Sequence, residues 1–153
     1  MRLVDTHTHL YLPNFVDEQP DAVSRAIDAG VEKMIFPNVD LTTVKPMIEL
    51  AQRYPENVSM AMGLHPTEVK EDWRDVMGEI EQYIGDGKGY VAVGEIGIDL
   101  YWDKSFVEEQ MQVFERQVAK AIDLNLPAII HCRDGLPQAL EVLQGLPGAK
   151  GVF

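Results

Sequence analysis

Four histidines and one glutamate carry the clearest chemical signal in this chain, because each sits toward the polar end of an apolar run. His7 and His9 lie two apart in Val4-Asp5-Thr6-His7-Thr8-His9-Leu10. In an extended strand alternate side chains share a face, so Asp5, His7 and His9 point the same way, with Cα atoms two apart separated by about 6.5–7 Å. Two imidazoles so placed can reach one ion. His65 closes the run ending Gly63-Leu64-His65-Pro66, and His131 closes Ile129-Ile130-His131. A single strand histidine is more often structural, but four at corresponding ends of different runs point to shared chemistry. Neutral imidazole suits Zn, Mn, Fe or Ni better than Mg, which prefers oxygen. Glu95 is the sharpest residue: in Val91-Ala92-Val93-Gly94-Glu95 strict alternation puts it on one face with Val91 and Val93. A carboxylate on an inward face is costly unless paired, protonated or metal-bound. A salt bridge with Arg133 would satisfy it; a bridge between two cations fits the histidines better. Gly94 and Gly97 on either side permit close backbone approach.

These residues need elements to position them. Apolar runs begin near residues 3, 33, 58, 90, 127 and 151, about thirty residues apart, with amphipathic segments between them. The clearest helix is expected over 105–124, with Ser105 and Glu108 as a capping box and Val107, Met111, Phe114, Val118 and Ala121 as its stripe. Another is expected over about 71–84, with shorter ones at 21–29, 43–53 and 137–144. Continuous apolar strands alternating with helices predict a parallel sheet covered by helices. The polar residues His7, His9, Asn38, His65, Glu95 and His131 gather at the C-terminal strand ends, where a (βα)8 TIM barrel places its catalytic groups. No Gly-rich phosphate loop supports a nucleotide-binding open sheet. Eight units need roughly 250 residues, whereas 153 residues hold five and the start of a sixth strand. The α/β chain therefore reads as a single incomplete TIM-barrel domain over 1–153, truncated after about five βα units.

Bulk properties narrow the function. The chain is 46% apolar, and no apolar run reaches the ~20 residues of a membrane span. No signal-peptide stretch is evident, and Cys132, the lone cysteine, allows no internal disulfide and suits a reducing cytoplasm. The glycosylation pattern at Asn57-Val58-Ser59 carries no weight in that setting. Thirteen Lys and Arg against twenty-five Asp and Glu give a formal charge of −12 without a basic cluster. A nonspecific duplex binder normally carries a positive face, so composition alone does not suggest a nucleic-acid substrate.

The segments VDTHTHL, MGLHP, VGEIGID and IIHCRD resemble, in order and spacing, four successive signatures of TatD-type metal-dependent hydrolases, and the resemblance spans the whole chain. It implies an amidohydrolase-like metal barrel with deoxyribonuclease activity, two divalent metal ions (Zn, Mn, Mg or Ni), and DNA or a nucleotide phosphodiester as substrate. By position, His7 and His9 correspond to ligands of one metal, Glu95 to the catalytic bridging carboxylate, and His131 to a ligand of the second. His65 matches a position near the phosphate subsite, with a capping role beside Pro66 as its alternative. Arg133, two after His131, is placed to contact a phosphate. Asp99 and Tyr101 either line the mouth or lie in a solvated loop, and Cys132 points away from His131 toward a helix. The family pattern adds a histidine on the sixth strand and an aspartate on the eighth, beyond Phe153. Residues 1–153 alone are therefore expected to be inactive and, with open sheet edges, prone to self-association, whereas the intact protein is expected to be monomeric. The rival expectations are a barrel acting on amide, ester or lactone bonds, and a non-catalytic fragment.

Overall fold

A computed structural model describes residues 2–15, 17 and 21–153. Strands β1 (Leu3–Asp5), β2 (Val31–Pro37), β3 (Val58–Met62), β4 (Tyr90–Asp99), β5 (Ala128–Arg133) and β6 (Gly151–Val152) form one sheet in chain order. Every neighbouring pair is parallel. Between them run helices α1 (Asp21–Asp28), α2 (Leu41–Arg53), α3 (Trp73–Ile84), α4 (Val107–Asp123) and α5 (Leu136–Gln144). The result is the expected βα succession, an α/β partial barrel.

The side-chain pattern explains the layering. In β2, Met34 and Phe36 are fully buried in the larger apolar cluster, which also takes Met47 of α2, Met77 of α3 and Phe114 of α4. The intervening Ile35 turns to the other face and joins Ala61, Ala92 and Ile129. Each large side chain buried under the helices contributes about 1.5–3 kcal/mol, so the helix-facing layer holds the sheet. Helix α3 buries Trp73, Met77, Ile80 and Ile84, the stripe its spacing predicts.

Three local expectations are corrected. Strand β1 ends at Asp5, so His7 and His9 lie in the segment beyond it rather than on a strand face with Asp5. Val91, Val93 and Glu95 do not share a face. Relative to β5, β4 carries one extra residue between Val93 and Ile96 (Val93 pairs with Ala128, Ile96 with Ile130), and this slips the alternation. Val93, Ile96 and Ile98 pack with the helices, leaving Glu95 on the opposite side. Finally, α4 begins at Val107 without a side-chain cap. The Ser105 N–H donates to Asp103 Oδ1 at 2.8 Å instead, a local turn that competes with the capping box. Among the described residues, a capping box is found at α2, where Asp40 and Thr43 exchange hydrogen bonds.

Candidate metal centre

Glu95 is 7% exposed and sits at the meeting point of four imidazoles. Its Oε2 lies 2.9 Å from His7 Nε2 and 3.3 Å from His9 Nε2. Its Oε1 lies 3.1 Å from His131 Nδ1 and 3.6 Å from His65 Nε2. Each carboxylate oxygen thus faces its own pair of imidazoles. His7, His9 and Glu95 form one donor set close enough to hold an ion, and His65, Glu95 and His131 form a second.

The first set is held from the N-terminal side. The Asp5 carboxylate accepts from the His7 backbone N–H at 3.1 Å, and the Thr8 N–H donates to the Ile35 carbonyl at 3.0 Å. Buried Tyr11 lies 2.8 Å from His9 Nδ1 and donates its hydroxyl proton to the Pro37 carbonyl. Burial, with Glu95 and Asp40 nearby, pushes the Tyr11 phenol up, so it stays protonated. Since that proton is committed to Pro37, His9 Nδ1–H donates to the phenol oxygen, and Nε2 keeps its lone pair for the cluster. The Glu95 N–H donates to the Asn38 carbonyl at 3.1 Å. Asn38, wholly buried, in turn donates to Gly63 O and accepts from the Thr43 hydroxyl.

The second set rests on α4. Gln117 clamps the backbone of Leu64, accepting from its N–H at 2.8 Å and donating to its carbonyl at 3.1 Å. One residue on, His65 Nδ1 caps the short Pro66–Glu68 turn, 3.2 Å from the Thr67 N–H, while its Nε2 faces Glu95. Nδ1 is also 2.7 Å from Thr67 Oγ1, which donates onward to Glu68. Gln110 clamps Asp99 in the same way, at 2.9 and 3.1 Å. Asp99, 2% exposed, places Oδ2 2.8 Å from His131 Nε2, so that imidazole lies between two carboxylates. The close approach of β4 to β5 depends on Gly97, at φ +143°, where a Cβ would stand 2.0 Å from the His131 carbonyl oxygen.

Electrostatics follow from this packing. Burial pushes the Glu95 carboxyl up, but the imidazoles around it, His131, His65, His7 and His9, more than reverse it, and it is held well below the usual carboxylate range. The hydrogen bond to Glu95 raises His7 against the opposing effect of burial. Burial lowers His131, yet Glu95 and Asp99 together bring it above its ordinary value. Asp99, pushed up by burial, is brought below its ordinary value by His131 and the backbone N–H groups of Tyr101 and Trp102. His7 Nε2 and His9 Nε2 lie only 3.0 Å apart beside one carboxylate oxygen. A positive centre must lie between such lone pairs, either a proton or a cation, and nitrogen and carboxylate donors in this number fit a borderline divalent metal.

The structure places the remaining residues plainly. Arg133 does not reach Glu95: its guanidinium lies 3.6 Å over the Tyr101 ring, so the salt-bridge alternative falls. Cys132 is half-buried against the helix-facing cluster, as expected. Sequence reasoning missed Tyr11, Gln110, Gln117 and Trp102. The two glutamines did leave a signal: uncharged polar residues seven apart, on the face that carries Phe114 and Val118.

Residues 4–153 match the family of TatD-related DNases. The chain belongs to that family. Among its TatD relatives, the uncharacterised metal-dependent hydrolase YabD of Bacillus subtilis is 32% identical over 98% of this chain and 58% of its own length. The 3'-5' ssDNA/RNA exonuclease TatD of Pectobacterium atrosepticum is 30% identical over 92% of this chain and 54% of its own. The crystal structure of the TatD homologue YjjV from Escherichia coli superposes with a TM-score of 0.84 at 30% identity, covering 94% of this chain and 56% of that one. The chain thus spans just over half the length of these TatD proteins. Among the described residues no helix is long and apolar enough to cross a membrane.

Proposed function

We propose that this TatD-family chain supplies the histidine–glutamate part of a metal-dependent phosphodiesterase centre acting on single-stranded DNA or RNA. The observation that carries the reading is the Glu95 carboxylate, with one oxygen toward His7 and His9 and the other toward His65 and His131. The relatives' names support a nuclease substrate. Divalent cations held there supply Lewis-acid polarisation of the scissile phosphoryl group and an attacking water acidic enough to ionise near neutral pH.

The chain's own residues bind and orient. Glu95, kept ionised by its four neighbours, joins the two donor sets and fixes their separation. Tyr11 and Asp99 hold His9 and His131 in the orientations described above. A polyanionic strand approaching a chain of formal charge −12 needs cations at the centre to offset repulsion. Substrate binding is therefore coupled to metal loading.

The test is hydrolysis of an end-labelled single strand by the purified intact protein with Mn, Zn, Mg or Ni added back after chelation, beside an ester, an amide and a lactone. Metal-dependent shortening of the strand, without turnover of the other three, is the expected result. Turnover of the lactone, ester or amide with the strand left intact overturns the reading.

A further inference from the structure

The turn after β4 carries two exposed aromatic side chains, Tyr101 at 51% and Trp102 at 71% exposure. A large indole left in solvent on an acidic protein has no role in packing the core. Neither ring is loosely hung. Asp99 Oδ1 accepts from the backbone N–H of Tyr101 at 3.0 Å and of Trp102 at 3.4 Å. The same carboxylate's other oxygen contacts His131 Nε2 at 2.8 Å. One buried side chain therefore ties the aromatic turn to the imidazole beside Glu95.

The rings meet edge to face, with centroids 4.8 Å apart and planes at 90°. Arg133, two residues after His131, lays its guanidinium 3.6 Å over Tyr101 and 5.4 Å from the Trp102 centroid. A flat cation is thus held beside an open indole face, at the rim of the cluster. Planar π surface, a fixed positive charge and a rigid turn are the features that bind an unstacked nucleobase and its phosphate.

We infer that Trp102, Tyr101 and Arg133 form a stacking platform that takes a base of a single-stranded substrate whose phosphodiester lies at the Glu95 centre. This rests on the phosphodiesterase reading and adds the requirement for a base. Trp102 supplies the stacking face. Tyr101 positions Arg133 for the phosphate next to that base. Because the turn is preorganised by Asp99, little ordering cost opposes binding. A duplex, whose bases are already stacked, gains nothing from the platform.

The chain has two tryptophans, and Trp73 is 6% exposed, so quenching by added solute reports on Trp102. The Zn-loaded protein is titrated with a short oligothymidylate and with an abasic strand of the same length, both carrying cleavage-resistant phosphorothioate linkages. The base-bearing strand is expected to quench the emission and bind about five- to a hundredfold more tightly. Binding followed by anisotropy of labelled strands should show that preference abolished in Trp102→Ala and partly kept in Trp102→Phe, with unchanged thermal unfolding showing that both variants fold. Equal binding of the two strands to the wild type, or an intact preference in Trp102→Ala, overturns the platform. Cleavage of both strands in unmodified phosphodiester form by the metal-loaded protein, together with equal binding, removes the platform and leaves the phosphodiesterase reading standing. Absence of both binding and cleavage removes both.

Discussion

Replacing Glu95 with Gln preserves the shape of the side chain and removes a charge that both donor sets share. Each set would be left with two neutral imidazoles and an amide. Losing a group that merely orients a metal ligand costs about 10–100-fold in affinity, so losing the shared ligand's charge should cost at least the upper end of that range at each set. Calorimetric titration of the chelated protein with Zn or Mn at alkaline pH is the direct assay, and weakening by about 100-fold or more is expected. The metal-free protein gives an independent readout. At acidic pH, His7 and His131 are protonated against Glu95, and removing one partner of a buried ion pair costs about 3–5 kcal/mol. The His7 side chain is 38% exposed, so solvent screening brings the expected destabilisation to about 2–3 kcal/mol. At alkaline pH the imidazoles are neutral, and Gln relieves the cost of burying a carboxylate, so the difference should shrink toward zero. Urea unfolding of both proteins across pH measures this. A destabilisation independent of pH, or metal affinity within tenfold of wild type, would refute the argument that Glu95 is the shared charge.

Tyr11→Phe should leave the fold intact but free His9 Nδ1, weakening metal binding at the first donor set by about 10–100-fold while sparing the second; mutant calorimetry showing two unaltered binding events would count against the assigned hydrogen bond. Gly97→Ala combines a left-handed φ with a Cβ 2.0 Å from the His131 carbonyl oxygen, so it should destabilise by about 3 kcal/mol or more, and a loss under about 0.5 kcal/mol in urea unfolding would contradict the close approach. Metal affinity should fall as pH drops through the raised folded-state values of His7 and His131, which lie above 6.5, because protons and cations compete for the same nitrogens. The metal-free protein should show the opposite trend: the histidines' stabilising contribution is complete below their unfolded value of about 6.5 and is lost as pH rises through the folded one. Competition with a chromogenic chelator and thermal unfolding, both run across pH, would expose either sign if reversed.

The succession of strands and helices was legible because burial leaves period-two and period-3.6 patterns in a single sequence. Six strand positions and the α3 stripe follow from that alone, and so does the gathering of His7, His9, His65, Glu95 and His131 at one end of the sheet. What escaped depends on neighbours distant in sequence. The slipped register of β4 follows from how closely Gly94 and Gly97 approach β5, where a Cβ on Gly94 would stand 2.7 Å from Ile129 Cβ. His65, set beside the substrate by resemblance, lies within reach of Glu95 and His131, whereas Arg133 lies over an aromatic ring. Asp99 could be placed at the mouth from its position at the end of β4, but its bond to His131 joins residues 32 apart.

The two donor sets have separate supports. Tyr11 bonds the carbonyl of Pro37 in β2 and orients His9, so the first set is built on the N-terminal segment and the end of β2. The second hangs on α4, whose glutamines lie seven residues apart, or about 10 Å along the axis at 1.5 Å per residue. That spacing lets one rigid rod grip the backbone at Leu64 and at Asp99, and through them place His65 and His131. An amide suits the task better than a charged group, since one side chain can satisfy both the N–H and the carbonyl of a strand end under an apolar layer without burying net charge. Glu95 is the element common to both halves. Its N–H is fixed by Asn38, which is tied to Gly63 just beyond β3 and to Thr43 in α2. A carboxylate shared by two independently braced pairs of imidazoles turns the relative position of β2, β3 and β5 into the spacing between two candidate cation sites, and this is how the packing of the sheet sets the chemistry proposed for it.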